Sequence, residues 1–579
     1  MGPGCGNQSG HAQVSLRLAR QRVWTNTSRV HSITITTRRR RWPAALRLAI
    51  LLVAISAATA HANDIGERVL TRGNGPEPAT LDAHRCQEVA CGNILRDLYE
   101  GLVTEAADGA LIPGVAKSWS HSADERLWQF VLREDVRWSN GEPLTAQDFV
   151  ASLQRALTPQ TAAPLAQLLS PIAHGAEIMR GTAEPATLGV IAIDARHLEI
   201  RLDRPAPLLD LLALPVAFPV YLPAVARYGA QHARPGNLVG NGAYVLSGWT
   251  PQASLSLQKN PHFRDADSVH FSRINYIVTE DAVSELKRFR AGDIDLTETL
   301  PPQSLSALRA EFGETLHIDP YLGSFYFGFN LARAPLQNNL ALREALALSI
   351  DRDILTRYIT GLGEQPAYGL VPPSLRDYQA QSMTSSTLSA AQRESLAQER
   401  FAEAGYSRAQ PLNIEIRYNT STLHRKLALA VAAMWRKLPG LHVRLRNQEW
   451  KVFVQERRQR AITQVFRAGW IADYNDALSF LDGYASDNAL NSSGYHDAEF
   501  DALLATARQL PIGPQRTELL QQAEAKLLRD QALLPIYFYM SKHLLRAGIV
   551  GFAANPLDHH ASRWLSEDAS KRTRSAATP

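Results

Sequence analysis

The stretch RAGWIADYND, residues 467–476, holds an arginine, a tryptophan and two aspartates. Asp473 and Asp476 have the composition of a hydrolase acid–base pair. In a loop, however, the two side chains need not point the same way, and no nucleophile or metal motif accompanies them. A loop acid satisfied by backbone N–H groups or a lysine is the plain alternative. A third reading is a carboxylate buried at a cleft that closes on a ligand ammonium, since a buried charge needs such a partner. Arg467 then suits a ligand carboxylate, because the planar guanidinium fork binds one bidentately. His424 falls at the start of a helical run, where free N–H groups and the helix dipole favour an anion. A lone histidine is otherwise usually structural. One cation receptor and two anion receptors on one rim describe a zwitterion, and a short peptide is the obvious candidate.

The elements that must position these residues are readable. In PLNIEIRYNT, Leu412, Ile414, Ile416 and Tyr418 alternate with polar residues, as in a strand facing one side. STLHRKLALAVAAMWRKL has helical apolar spacing, with Ser421 or Thr422 as N-cap. LHVRLRN (441–447) alternates again, WKVFVQERRQR reads as a short helix, and ITQVFRAGW (462–470) as a third strand. Strand, helix, strand, helix, strand implies parallel strands with right-handed crossovers. Ligands bind beyond the carboxyl ends of such strands, here Tyr418–His424, Asn447–Trp450 and Arg467–Asp473. A comparable unit, two strands around an amphipathic helix, is expected over 274–298, which makes at least two α/β lobes. No G-x-S-x-G, H-E-x-x-H, Walker loop or G-x-G-x-x-G stands beyond residue 62.

With 579 residues the chain exceeds one hydrophobic core, and two or three domains are expected. Its composition, 45% hydrophobic and 20% charged, argues against long disordered tracts. The net charge of +5 is set by residues 1–62, which hold nine arginines and no Asp, Glu or Lys. Without them 52 bases face 56 acids, a net charge of −4, which offers nothing to a nucleic acid. RRRRWPAALRLAILLVAISAATAHA (38–62) has the basic, apolar and small-x-small parts of a secretory signal. Its apolar run is short for a membrane span, and no cysteine follows it for a lipid anchor. Residues 1–37 look like neither fold nor signal. The mature chain is therefore expected in the periplasm, where Cys86 and Cys91 suit a small-loop disulfide. A metal site using both thiols with His84 is the alternative, although no fourth ligand is evident nearby.

Many stretches resemble the periplasmic oligopeptide-binding proteins, the solute receptors of peptide ABC importers, over residues 65–566. They include LDAHRCQEVACGNILRDLYEGLV, WQFVLREDVRWSNGEPLTAQDFVAS, PGNLVGNGAYVLSGW, HIDPYLGSFYFGFN, RYNTSTLHRKLA, NQEWKVF and RAGWIADYNDALSFL, in the family's order and spacing. The resemblance implies that Asp473 pairs with the ligand's α-ammonium, that Arg467 takes the carboxylate of a shorter peptide, and that His424 takes that of a longer one. Trp450, Arg457 and Trp470 fall around the side-chain pockets, with Tyr474 and Tyr326 also against the ligand. The backbone near Val89 would pair with the extended peptide, giving affinity without reading side chains. Water in roomy pockets would then accommodate varied side chains.

The departures bear on which peptides are taken. Gln87 stands where close relatives have a glutamate near the ligand, and Leu165 where a tyrosine is expected. Gly323 and Ile471 replace both members of the familiar disulfide. The resemblance further implies an α/β, two-lobed periplasmic-binding-protein fold (type II, cluster C) with an additional third domain. Lobe I combines 63–99, 224–322 and 541–566, and 100–223 is the additional domain. Lobe II is 323–540, and 567–579 is a disordered tail. The chain would cross between lobes near Tyr321–Phe329 and Ile536–Lys542. The implied partners are short peptides and a membrane ABC permease, for a monomer without cofactor or catalysis. The alternatives are a receptor for murein or other modified peptides, a secreted hydrolase, and a metal or haem receptor.

Overall fold

The computed structural model describes residues 68–461 and 463–568. The secretory signal, Cys5 and most of the expected tail lie outside these residues. The chain opens with strand β1 (Val69–Gly73) and helix α1 (Val89–Leu98). It then builds a smaller antiparallel sheet, ordered β2-β3-β5-β4, from β2 (Ala116–His121), β3 (Leu127–Leu132), β4 (Val190–Ala192) and β5 (His197–Arg201). Alternation on β3 buries Trp128, Phe130 and Leu132 against Phe149 and Leu153 of the helix Ala146–Leu157, in one core that spans 102–217.

Strands β6 (Tyr244–Thr250), β7 (Ser254–Lys259) and β8 (Arg273–Ile277) return to β1, giving a sheet ordered β1-β8-β7-β6 in which only β1 and β8 run parallel. Helix α2 (Ala282–Ala291) follows, capped by Asp281 and closed by Gly292 at φ 81°. The second strand expected at the end of 274–298 is reduced to single bridges, Arg72 to Leu296 and Leu296 to Leu545. The Asp295 carboxylate there accepts the Thr71 N–H at 2.8 Å, so a side chain takes a donor that a continued ladder would use. The core of this sheet unites Leu70, Ile274 and Tyr276 with Leu545, Ile549 and Leu565 from the other end of the chain.

The largest sheet contains β9 (Leu316–Phe329), β10 (Gln365–Pro366), β11 (Leu412–Asn419), β12 (Leu441–Gln448), β13 (Val465–Ile471) and β14 (Leu533–Leu544). Helix α3 (Thr422–Trp435) connects β11 to β12, α4 (Trp450–Gln459) connects β12 to β13, and α5 (Pro514–Arg529) precedes β14. The order is β10-β14-β9-β13-β11-β12, with β13, β11 and β12 mutually parallel as the alternating pattern requires. Strands β9 and β14 pair antiparallel along almost their whole length, and their register slips between Pro320 and Ser324. The tail is corrected at its first residue. Ser566–Glu567 pairs with Ile549–Val550, and the Asp568 N–H reaches Gly548 O at 2.7 Å, so Glu567 is paired backbone rather than disordered. Among the described residues, no helix is long and apolar enough to cross a membrane.

Candidate ligand-binding site

Because β11, β12 and β13 are parallel, their C-terminal ends deliver His424, Trp450 and Asp473 to the same edge of one sheet. Ser421 caps α3, its Oγ accepting the His424 N–H at 3.3 Å. The His424 ring bonds Asn419 Oδ1 through Nδ1 at 2.9 Å and lies 5.7 Å from the Phe325 ring. Burial, then the positive charge of Arg467, push its pKa down to about 3, which favours the neutral ring.

Arg467 lies on β13 with its guanidinium 5.3 Å from the Phe325 ring centroid. Its Nη2 donates to the Tyr539 hydroxyl at 3.4 Å, and its buried Nε has no hydrogen-bond partner among the described residues. Tyr539 needs two glycines beside it. A Cβ on Gly323 would stand 2.8 Å from its ring, and one on Gly469 2.8 Å from its hydroxyl. Gly323 and Ile471 are direct cross-strand partners. Tyr537 stacks on Phe325 at 4.8 Å, completing an aromatic bed under Arg467.

A second group forms around Tyr326. Trp470, Tyr326 and Tyr484 pack at the edge of the core that includes Phe480 and Leu481, with Tyr326 and Tyr484 at 6.4 Å between centroids. Arg457 lies over Phe453 at 5.7 Å. Its neighbour Glu456 is gripped by buried Arg417 and by Gln448, which fixes α4 on β11 and β12. Burial lowers the Arg457 pKa first, and the charge of Arg467 lowers it further. The Arg457 Nε and Trp470 Nε1 are buried donors without partners among the described residues, which native structures rarely leave unexplained. Trp450, half-exposed, rests on Phe453 at 6.2 Å.

The two aspartates part company. Asp476 receives Arg516 through two bonds of 2.7 and 2.9 Å and the Leu478 N–H at 2.8 Å. The Asp473 N–H donates to Ser479 Oγ at 3.0 Å, but among the described residues no group donates to its partly buried carboxylate. Burial alone pushes its pKa up to about 6. With Asp476 engaged in an ion pair, the two do not form an acid–base couple. Tyr474 departs from expectation: its ring is buried in the core of the 102–217 unit, where it fills apolar space. A cavity of about 450 Å³ adjoins this loop, walled by Trp119, Trp128, Asp210, Asn475 and Arg516 among others. A larger one, about 760 Å³, is lined by Ser304, Tyr358 and Lys426 and includes none of the expected site residues.

On the sheet of β1, Gln87 is exposed and Val89 is 50% exposed. Val89 does not lie in an extended segment: it opens α1, and the extended stretch before it is Cys86–Glu88. Cys86 and Cys91 are joined by a disulfide across this turn, so the thiols are not free for a metal. The His84 ring is occupied by Phe218 O at 3.1 Å and Arg155 at 2.8 Å. Leu165 packs on the 102–217 core. Tyr539, Tyr484 and Phe325 were not singled out from the sequence; the alternation in LLPIYFYM is the signal that puts Tyr537 and Tyr539 on one face.

Comparison with known proteins places this arrangement in a family. Residues 110–492 match the bacterial extracellular solute-binding proteins, family 5 middle region. The periplasmic oligopeptide-binding protein OppA of Escherichia coli K12 is 38% identical over 502 residues, 86% of this chain and 92% of that protein. A probable deoxycholate-binding periplasmic protein, YgiS, of the same organism is 36% identical over 526 residues, 89% of this chain and 98% of that protein. The solved structure of the Escherichia coli murein tripeptide binding protein MppA is 34% identical, with a TM-score of 0.77 covering 87% of this chain and 99% of that one. The chain belongs to the family 5 bacterial extracellular solute-binding proteins.

Proposed function

We propose that this chain is an extracytoplasmic receptor that closes on short peptides and hands them to a membrane ABC importer, without making or breaking a bond. The observation that carries the reading is the Asp473 carboxylate, partly buried and without a donor among the described residues, just beyond the end of the strand that carries Arg467. A ligand ammonium would satisfy the first and a ligand carboxylate the second. Separate cores over 102–217, behind the sheet of β1 and behind the largest sheet support lobe I from 63–99, 224–322 and 541–566, an additional domain at 100–223, and lobe II at 323–540. Closure about β9 and β14 would be favoured in proportion to the ligand's preference for the closed form. Export by the signal at 38–62 and a monomeric, nucleic-acid-free state complete this reading.

Two guanidiniums, Arg457 and Arg467, whose Nε atoms have no partner among the described residues, favour a second reading: a peptide with an extra carboxylate, such as a murein peptide. Native mass spectrometry of the chain from Asn63, before and after refolding without ligand, tests both. A mixture of unmodified tri- to pentapeptides supports a general receptor. A single wall-fragment mass selects the specialised one. A steroid acid, the ligand class in the name of one relative, carries no ammonium for Asp473, and its recovery would overturn the peptide reading.

A further inference from the structure

Away from these residues, His543, Asp558 and His560 meet where β14 joins the C-terminal segment. His543 Nε2 stands 2.8 Å and His560 Nε2 3.0 Å from the same oxygen, Asp558 Oδ1. The potential ligand atoms of the three side chains all lie within 4.8 Å of one another. Ser541 Oγ also bonds that oxygen at 2.5 Å.

The other nitrogen of His543 fixes its chemistry. Nδ1 faces the Thr297 carbonyl at 2.7 Å, which accepts only, so the ring proton must sit on Nδ1. The lone pair of a neutral ring then points from Nε2 straight at a carboxylate oxygen. Either a second ring proton or a metal ion must lie between that lone pair and the carboxylate oxygen, and an ion would take the place of the proton. A carbonyl behind the distal nitrogen is also the arrangement that orients metal-binding histidines. The turn that presents Asp558 is constrained. Asp558 has φ 60°, in the left-handed region, and Asn555 shapes the turn by accepting the Leu557 N–H and donating to His559 O. Two imidazoles and a carboxylate are donors that suit zinc and its neighbours, at bonds of about 2.0–2.2 Å. Both histidine side chains are 5% exposed, and the Asp558 side chain keeps 15%, a path for an ion.

We propose that His543, Asp558 and His560 bind one divalent d-block cation, Zn²⁺ being the best match to the donors, with the Ser541 hydroxyl or a water as the remaining ligand. The ion would clamp β14 to the C-terminal segment. The site owes nothing to the peptide reading and stands or falls apart from it.

The test is a calorimetric titration of ZnCl₂ into untagged, chelator-treated mature protein with its disulfide intact, repeated with CoCl₂ to read visible absorption. One equivalent should bind, with the intense d–d bands of four-coordinate Co²⁺, and binding should raise Tm. H560F keeps the packing on Phe552 (4.0 Å between ring centroids) and the main-chain oxygen bonded by Arg72, but removes a ligand. It should weaken Zn²⁺ at least about tenfold and abolish the Co²⁺ bands, as should D558N. A C86S/C91S variant should bind as the parent does. No stoichiometric uptake by the parent, or unchanged affinity in a folded H560F, would overturn the proposal.

Discussion

Asp476 and Arg516 form a two-bond ion pair, 2.7 and 2.9 Å, beneath the loop that leaves Asp473 alone. Three positions apart, the two acids differ because the side chain of α5 reaches only one of them. Their substitutions should separate cleanly. D473A should cost peptides with a free amino terminus about 2–4 kcal/mol of affinity, the range for losing a buried charge-assisted contact, and leave acetylated peptides where they were. D476A should destabilise the fold by about 3–5 kcal/mol, by stranding a buried guanidinium. Calorimetry with trialanine and its N-acetyl form decides the first; equal losses for both would refute the assignment of Asp473.

The titration of Asp473 has a definite sign. Its folded pKa of about 6 lies above the ordinary 3.8. Below about pH 4 both folded and unfolded chains hold the proton. As pH rises to about 6 only the unfolded chain releases it, so the empty protein loses up to about 3 kcal/mol of stability over that window and is level above it. An ammonium beside the carboxylate reverses the shift. Affinity for free-amine peptides should climb with pH up to about 6 and then flatten; D473N should show neither slope when melting and binding curves are run from pH 4 to 8.

His424 should behave oppositely. A ring held neutral, with its pKa near 3 and its Nδ1–H given to Asn419 Oδ1, meets a carboxylate at Nε2 by gaining a proton. Peptides long enough to reach it should bind with proton uptake and weaken as pH rises, whereas those ending at Arg467 should not. Comparing calorimetric heats for tri- and tetrapeptides in buffers of different ionisation enthalpy measures that uptake; H424F should erase it.

G469A places a methyl 2.8 Å from the Tyr539 hydroxyl. The displaced phenol should release its contact with Arg467 and lower peptide affinity several-fold, about 1 kcal/mol for one hydrogen bond. A structure of the variant, or its affinity beside that of Y539F, reads the effect.

The disulfide closes a loop with a sequence separation of 5, for which chain entropy gives about 2 kcal/mol. C86S/C91S should lower stability by that amount in urea melts and loosen residues 86–88. Faster peptide dissociation should follow, because the extended stretch then has to be ordered on binding.

The 412–471 unit was legible because each of its elements is local: alternation, helical spacing and a serine cap act within a few residues, and the parallel order follows from connectivity. The helix that Val89 opens was not read from the sequence, because its start at Glu88 has no side-chain cap to announce it. Glu567 was taken for tail because its partner, Ile549, is supplied by a two-residue pairing with no periodicity. Tyr474 sits in a site-like run, yet its ring fills a core assembled from a distant segment. The Tyr539 contact with Arg467 depends on β9 lying between β13 and β14, a long-range register that no short window contains.

Leu70 and Leu565 share one core, and that sets an order of assembly. As the chain is delivered from its N-terminus, the core around Phe325 and Trp435 has all its parts before β14 is complete. The sheet of β1 must wait for residues 545–565, its apolar surface uncovered in the meantime. The first segment delivered is among the last to be finished, so truncation after β14 should yield a chain with one sound half and one sticky, protease-sensitive half.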